Sequence, residues 1–290
     1  MADSYHFNMK SIRPLTQQEI NSFKEFGFLV YKADCVRHFK GCIINLVKEI
    51  TLIILTKMGC RPEAIAELED KSFDEIVQWC HENETHNKIT KILYEVYPTM
   101  PAIIGCINHQ LLIWLAQSIG IKKPVASTIP TIRIDRPNTD KFLTLSHQDY
   151  WYSFASDNSV TIWCPLISIT EEMGHLQVIP GSHKNGLVPF TKRIGDNLLS
   201  VQKDYPDEYF QAVDLAVDEI LLFSQYLIHK SGLNRGHMPR VTMQVRYNDV
   251  YTMTELIQTF TATTSAIVLE RQQNLLSRFE SSLTQYNRNV

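Results

Sequence analysis

The side chains with the clearest chemical potential lie in Leu145-Ser146-His147-Gln148-Asp149-Tyr150-Trp151-Tyr152. The run before them reads as a strand, where residues two apart share a face. The His147 imidazole and the Asp149 carboxylate can therefore reach one point in space. Such a pair is two thirds of the two-histidine, one-carboxylate set that holds non-haem Fe(II) and leaves the opposite face open. A lone His-x-Asp is common by chance, so the reading depends on a third ligand. His229, in Ile228-His229-Lys230-Ser231-Gly232, follows an apolar strand-like run, Leu221-Leu222-Phe223. Arg240 comes 11 residues later, a guanidinium able to hold a carboxylate through two parallel hydrogen bonds. Ser231 shares the face of His229 if the strand continues, and offers its hydroxyl to the same anion. His237 competes with His229 as a ligand, but it lies in a Gly/Pro-flanked loop without an arginine at that distance.

These residues need elements to position them. Thr16-Gln17-Gln18-Glu19 matches a capping box, Ile20, Phe23 and Phe26 follow on one helical face, and Gly27 stops that helix before Phe28-Leu29-Val30-Tyr31. Residues 1–13 read as a loose arm. A long helix is expected over 36–58, ended by Gly59, with shorter ones over 71–81 and 86–96. A further helix over 102–118 carries Ile103, Ile104, Ile107, Leu111, Trp114 and Leu115, with Gly120 as its stop. From 124 to 250 the pattern becomes short alternating runs broken by Pro, Gly, Asn and Asp, as in an antiparallel β-sandwich or barrel. Beyond Tyr251 it reverts to helix. The expected architecture is α+β with a mainly β core, in a single domain of residues 1–290. It comprises a helical part (14–120), a β core (124–250) and C-terminal helices (253–285) packed on one outer face.

Along 240–247, Val241, Met243 and Val245 point one way, and Arg240, Thr242, Gln244 and Arg246 the other. Either the polar set faces a cavity, where two arginines need anionic company, or the strand is an edge with that face in water. Composition is ordinary: 44% hydrophobic, 20% charged and a net charge of −3, which gives no electrostatic reason to expect nucleic acid or an acidic membrane as partner. The cysteines (Cys35, Cys42, Cys60, Cys80, Cys106, Cys164) form no C-x-x-C pair and read as buried thiols of a reducing compartment. The N-terminus lacks a signal peptide's basic-then-apolar order. The apolar run from Cys42 to Leu55, interrupted by Asn45, Lys48 and Glu49, reads as a core helix and not a membrane span. A cytoplasmic protein is expected.

With these residues in place, the chain resembles the phytanoyl-CoA dioxygenase-like superfamily of Fe(II)/2-oxoglutarate-dependent oxygenases. His147-Gln148-Asp149 fits its His-x-Asp. The run Glu172-Met173-Gly174-His175-Leu176-Gln177-Val178-Ile179-Pro180-Gly181-Ser182-His183-Lys184 fits its E-N-G-x-L-x-V-I-P-G-S-H-K segment. His229 with Ser231 fits the distal histidine and its serine, and Arg240 keeps the family's spacing. Leu15–Tyr31 looks like the family's opening. Met173 departs from the usual Asn, and His175 fills a slot usually held by something small. The resemblance implies a double-stranded β-helix, the cupin-like jelly roll. It implies His147, Asp149 and His229 as Fe(II) ligands, with Arg240 and Ser231 holding the far carboxylate of 2-oxoglutarate and O2 as second co-substrate. Decarboxylation to succinate would supply an oxidant for an unactivated C–H. Halogenating relatives carry a small residue where Asp149 stands, so Asp149 argues for hydroxylation.

The implied substrate is a small molecule, a metabolite in a biosynthetic tailoring step. Tyr150, Trp151, Tyr152 and Trp163 offer apolar area with a polar handle at a pocket mouth, or serve as core. Arg133 shares a face with Asp135. Facing inward it would meet an acidic substrate group; facing outward the two make an ordinary solvated strand face. His175 is either a recognition group or a structural histidine, and His183 is expected to stabilise its own turn. Two other readings stay open: an inactive jelly-roll binding module, and an iron enzyme independent of 2-oxoglutarate, which would not need Arg240. The helix expected over 265–283 is a candidate for homodimer formation or for closing over the barrel.

Overall fold

Thr16 starts the first helix as its spacing predicts. Its hydroxyl accepts from the Glu19 amide, and the Glu19 carboxylate accepts from the Thr16 amide. The helix α1 (Gln17–Phe26) closes at Gly27, whose φ of +83° suits a residue without Cβ, and the chain turns into β1 (Phe28–Lys32). Arg13, expected in a loose arm, is instead fixed: its guanidinium pairs with Glu19 at 2.8 Å and its amide donates to the Tyr31 hydroxyl. Phe26 is 45% exposed and does not join the buried face expected of it. The computed structural model describes residues 12–83, 88–126, 130–139, 143–152, 156–192, 199–216 and 218–253. The helices expected after 253 lie outside the described residues.

The helical layer comprises α2 (Asp34–Lys57), α3 (Pro62–Glu69), α4 (Phe73–Glu82), α5 (Lys88–Val96), α6 (Pro101–Gly105) and α7 (Gln110–Ser118). The expectations for α2, α4 and α5 hold within a few residues. The helix α3, with Pro62 in its first turn and Leu68 buried, was not anticipated. The single helix expected over 102–118 is broken into α6, a 3-10 turn Cys106–Asn108 and α7, with His109 extended between them. Tertiary contacts favour the break. The Tyr247 hydroxyl donates to the Ile107 carbonyl, and the His109 ring accepts from the Leu111 amide to cap α7. Among the described residues no single helix is long and apolar enough to cross a membrane. The one bent pair of sufficient length, Lys88–Thr99 with Pro101–Ser118, buries Leu93, Ile103, Leu111 and Leu115 in the core.

The strands are β2 (Pro124–Ala126), β3 (Thr131–Asp135), β4 (Ser159–Pro165), β5 (Leu176–Val178), β6 (Phe190–Lys192), β7 (Leu199–Val201), β8 (Gln211–Val213), β9 (Glu219–Ser224), β10 (His229–Ser231) and β11 (Arg240–Asp249). The larger sheet runs β1-β9-β4-β11-β2, and β3 also pairs with β11. Opposite it lies β10-β5-β8. The stretch before His147 extends this smaller sheet: the Ser231 amide donates to the Thr144 carbonyl, and His147 and His229 exchange backbone hydrogen bonds. The Val201 amide bonds the Ser146 carbonyl, bringing in β7 and, through it, β6.

Alternation in the larger sheet separates two interiors. Val241, Met243, Val245, Ile162, Ile220 and Leu222 pack against the helices. Trp163, Leu221 and Phe223 face the smaller sheet and meet Leu176, Val178 and Val213 there. The strand β11 is therefore central and not an edge, and its polar set points between the sheets. Five of the six cysteines are buried or half-buried, but Cys42 is exposed, contrary to the expectation of uniformly buried thiols.

The close approach of the 173–175 and 231–233 segments depends on Gly174. Its φ is +73°, and a Cβ there would lie 2.6 Å from the Gly232 carbonyl carbon and the Leu233 oxygen. Gly174→Ala should cost about 2 kcal/mol or more in a urea unfolding titration; an unchanged midpoint would show that the two backbones can part freely.

Candidate metal centre

His147 sits where the extended stretch bridges to β10, and His229 is its partner across that bridge, so the two imidazoles stand side by side with ring centroids 4.1 Å apart. Each is oriented by a carbonyl two residues back: His147 Nδ1 lies 2.8 Å from the Leu145 oxygen, and His229 Nδ1 2.9 Å from the Leu227 oxygen. With Nδ1–H donated to backbone, both rings present the Nε2 lone pair inward.

Asp149 completes the cluster, but not by strand alternation. The chain leaves the extended conformation after His147, and Asp149 opens a 3-10 turn, Asp149–Tyr152. Gln148 drives the change of direction. Fully buried, it donates to the Gly186 and Tyr226 carbonyls and accepts from the Val188 amide. The Tyr150 amide then bonds the Gln225 carbonyl. Asp149 Oδ1 consequently lies 3.5 Å from His147 Nε2 and 3.8 Å from His229 Nε2. One ligand atom from each of the three residues lies within 4.8 Å of the other two, and all three residues are buried.

Two residues that the motif does not contain hold the carboxylate. Arg246 donates from Nε to Asp149 Oδ2 at 3.0 Å and from Nη2 to Oδ1 at 3.1 Å, while the Thr161 hydroxyl donates to Oδ2 at 2.6 Å. Arg246 and Thr161 are direct partners in the β11–β4 register, so the two strands present both donors together. Of the two readings open for the polar face of 240–247, the inward one holds for Arg246, and Asp149 is the anion it requires. Burial alone would raise the Asp149 pKa, but the Arg246 charge leads the contacts that more than offset it, and the group lies well below the usual carboxylate range. Burial pushes His229 down to about 3, so its imidazole is neutral. Two imidazole nitrogens and an ionised oxygen converging on one point, with second atoms already hydrogen-bonded, are what a divalent cation of the Fe(II) type requires.

The inner end of β11 carries Arg240, 3% exposed. Its Nη2 lies 3.0 Å from Asp135 Oδ2, and its Nη1 donates to the Gly174 carbonyl, with the Met173 and Gly232 oxygens also within reach. Arg133 lies inward, not on a solvated face: its Nη2 is 2.8 Å from Asp135 Oδ1 and its Nη1 donates to the Thr144 hydroxyl. Ser231 follows His229 on β10, two residues along the same face.

Tyr150 stacks on Tyr226 at 4.7 Å, and Trp151 contacts Phe190 at 4.9 Å. The side chain of Tyr152 lies outside the described residues. Trp163 is 3% exposed, packed between the sheets beside Leu221 and Phe223 and two residues from Thr161. His175 is 3.9 Å from the exposed Asp214 carboxylate and receives the Gly232 amide on its own carbonyl. His183 does not act within its turn alone: its Nε2 reaches the Lys24 carbonyl and ties the turn to α1. His237 and Arg235 are exposed and outside the cluster.

Face-to-face antiparallel sheets with helices behind one of them make a cupin-like double-stranded β-helix, or jelly roll. A solved structure described as a non-heme monooxygenase, ThoJ in its apo form, superposes with a TM-score of 0.52 at 16% identity, covering 79% of this chain and 76% of that one. Within that fold, residues 113–242 match the family model for phytanoyl-CoA dioxygenase (PhyH). That stretch, under half of the chain, is what is similar to the PhyH family. The Arabidopsis thaliana protein of that name is 31% identical over 130 residues, 43% of this chain and 45% of that protein. A 1-deoxypentalenic acid 11-beta-hydroxylase from Streptomyces exfoliatus is 28% identical over 115 residues, 36% of this chain and 41% of that protein. The matched stretches thus span less than half the length of either curated relative. The opening helix and strand lie outside the family match.

Two tests follow from the buried charges. Arg246→Met leaves Asp149 buried without its counter-ion, and the metal-free protein should lose about 3 kcal/mol or more in chemical denaturation; a loss below about 1 kcal/mol would make the pair incidental. Burial also holds His109 down at about 4, well under the ordinary imidazole value of 6.5, as it does His229. The unfolded chain takes up these protons first, so this stability is complete above 6.5 and is lost as pH falls toward the folded values. The urea midpoint of the metal-free protein should drop between about pH 7 and pH 5; a flat profile would show that the two rings protonate in place.

Proposed function

We propose that the protein is a non-haem Fe(II)- and 2-oxoglutarate-dependent dioxygenase. Its reaction would hydroxylate an unactivated C–H of a small metabolite in a biosynthetic tailoring step. One molecule of O2 and one of 2-oxoglutarate would be consumed, with succinate and CO2 released. The observation that carries this reading is the convergence of His147 Nε2, His229 Nε2 and Asp149 Oδ1 in a buried site. These three would hold Fe(II), which when bound supplies the means to activate O2 against the 2-oxo acid.

The remaining roles belong to side chains of this chain. The Nε2 lone pairs stay available because the Nδ1 atoms are held by the Leu145 and Leu227 carbonyls. Arg246 and Thr161 fix the Asp149 carboxylate so that Oδ1 keeps its aim. Arg240 and Ser231 would hold the far carboxylate of 2-oxoglutarate. A donor suited to this lies in place, because Arg240 Nε is buried and has no hydrogen-bond partner. Trp151 and Phe190, with Leu145 and Leu187 largely exposed close by in sequence, offer an apolar lip to a substrate that is at least partly hydrophobic. The likeness to a 1-deoxypentalenic acid 11-beta-hydroxylase, and the presence of Asp149, support hydroxylation over halogenation.

One observation favours a different iron enzyme, independent of 2-oxoglutarate: Asp135 already occupies one arm of the Arg240 fork. The two readings separate in a turnover assay. Succinate release from 2-oxoglutarate should depend on added Fe(II) and fall at least about 100-fold in His147→Ala and His229→Ala. In Arg240→Ala the KM for 2-oxoglutarate should rise more than kcat falls. Iron-dependent oxidation that ignores both 2-oxoglutarate and the Arg240 substitution would favour the alternative.

A further inference from the structure

Two tyrosines flank the His147-Asp149-His229 cluster and take no part in holding the metal or the co-substrate. Tyr150 follows Asp149 directly, and Tyr226 lies three residues before His229. Hydrogen bonds to backbone fix both. The Tyr150 amide donates to the Gln225 carbonyl, and the Tyr226 carbonyl accepts from the Gln148 side chain. The two rings are stacked, with centroids 4.7 Å apart and planes 21° from parallel. The side chain of Tyr150 is hydrogen-bonded to that of Tyr226. The Tyr226 hydroxyl in turn donates to Asp157 Oδ1 at 2.8 Å, and Asp157 is exposed. Outward from Asp149 the order is therefore phenol, phenol, carboxylate, water.

That order suits the passage of an electron inward and a proton outward. A phenol gives up an electron readily only when its proton leaves too, because the oxidised ring is a strong acid. Tyr226 has an acceptor for that proton in Asp157, whose exposure lets the proton pass on to water. Stacked rings exchange an electron without any movement of the chain. Trp151, the next residue along, is not equivalent: its Nε1 is buried without a hydrogen-bond partner, so its proton has no acceptor.

We propose that Tyr150, Tyr226 and Asp157 form an electron exit that discharges the metal site when its oxidant meets no substrate. This rests on the 2-oxoglutarate reading, whose turnover leaves one atom of O2 as a two-electron oxidant when no C–H takes it. Each phenol supplies one electron, and the two phenolic protons leave through Asp157. The oxygen atom takes up two electrons and two protons and departs as water. The oxidised rings recover their electrons from a reductant in solution, such as ascorbate. Without one they couple carbon to carbon into dityrosine. The ring hydrogens at the new bond move to the oxygens, so the pair loses two hydrogens in all.

Two experiments on the full chain test this. One supplies Fe(II), 2-oxoglutarate and O2 with no primary substrate, measures succinate, and maps modified peptides by mass spectrometry. The other irradiates the metal-free protein with tris(bipyridine)ruthenium and persulfate, an oxidant that needs no iron. Both should yield a pair of peptides joined through Tyr150 and Tyr226 and lacking two hydrogens, and ascorbate should suppress the product of the first. Tyr226→Phe should abolish the cross-link. Asp157→Asn, a change at an exposed position, should slow its formation at least about tenfold. Succinate release without the cross-link, with oxidation at Trp151 or Trp163 in its place, overturns the exit. So does a parent chain that gives no photochemical cross-link. Equal rates in Asp157→Asn and the parent remove the carboxylate from the path. A chain that cross-links under light but releases no succinate supports the tyrosine pair and sinks the 2-oxoglutarate reading alone.

Discussion

Asp149 is a carboxylate with 1% exposure in the middle of a β-sandwich, and the cost of that position shapes the region around it. An isolated buried carboxylate would be expected to take up a proton. This one stays ionised because Arg246 grips both of its oxygens and Thr161 donates to one of them. Those donors come from β11 and β4, neighbours at the centre of the larger sheet, so the site depends on that pairing. The same solution recurs further along β11, where Asp135 lies between Arg240 and Arg133. Both β11 guanidiniums that point inward thus meet an acid from elsewhere in the fold.

The division of β11 into two faces makes this affordable. Val241, Met243 and Val245 bury against the helices, and that apolar contact anchors the strand whose other face carries charge. The smaller sheet supplies the histidines from two directly bridged stretches, each ring locked by a nearby carbonyl. The three residues proposed to hold the metal therefore come from the smaller sheet and the turn beside it, and the charge compensation from the larger. A change in sheet separation would break both at once.

Much of the site was legible in the sequence because it is a matter of residue type and order: an imidazole and a carboxylate, then a second imidazole, then a guanidinium. Alternation along 240–247 put Arg240 and Arg246 on one face but left open whether that face met a cavity or water. What it could not show was the partner. Arg246 and Asp149 are 97 residues apart, and no local pattern links them. Local conformation was misjudged where tertiary bonds won. Asp149 lies in a 3-10 turn because buried Gln148 redirects the chain, and the expected helix over 102–118 breaks where Tyr247 takes the Ile107 carbonyl. Arg133 reads equally well on a wet or a dry face until the position of Thr144 is known.

The most direct measurement is an anaerobic optical titration of the metal-free protein with Fe(II) and then 2-oxoglutarate. Chelation of iron held by His147, Asp149 and His229 should produce a visible charge-transfer band that is lost in His147→Ala and His229→Ala. Iron binding without a band, or a band that survives both substitutions, would contradict the assignment of this cluster as the site where iron and 2-oxoglutarate meet.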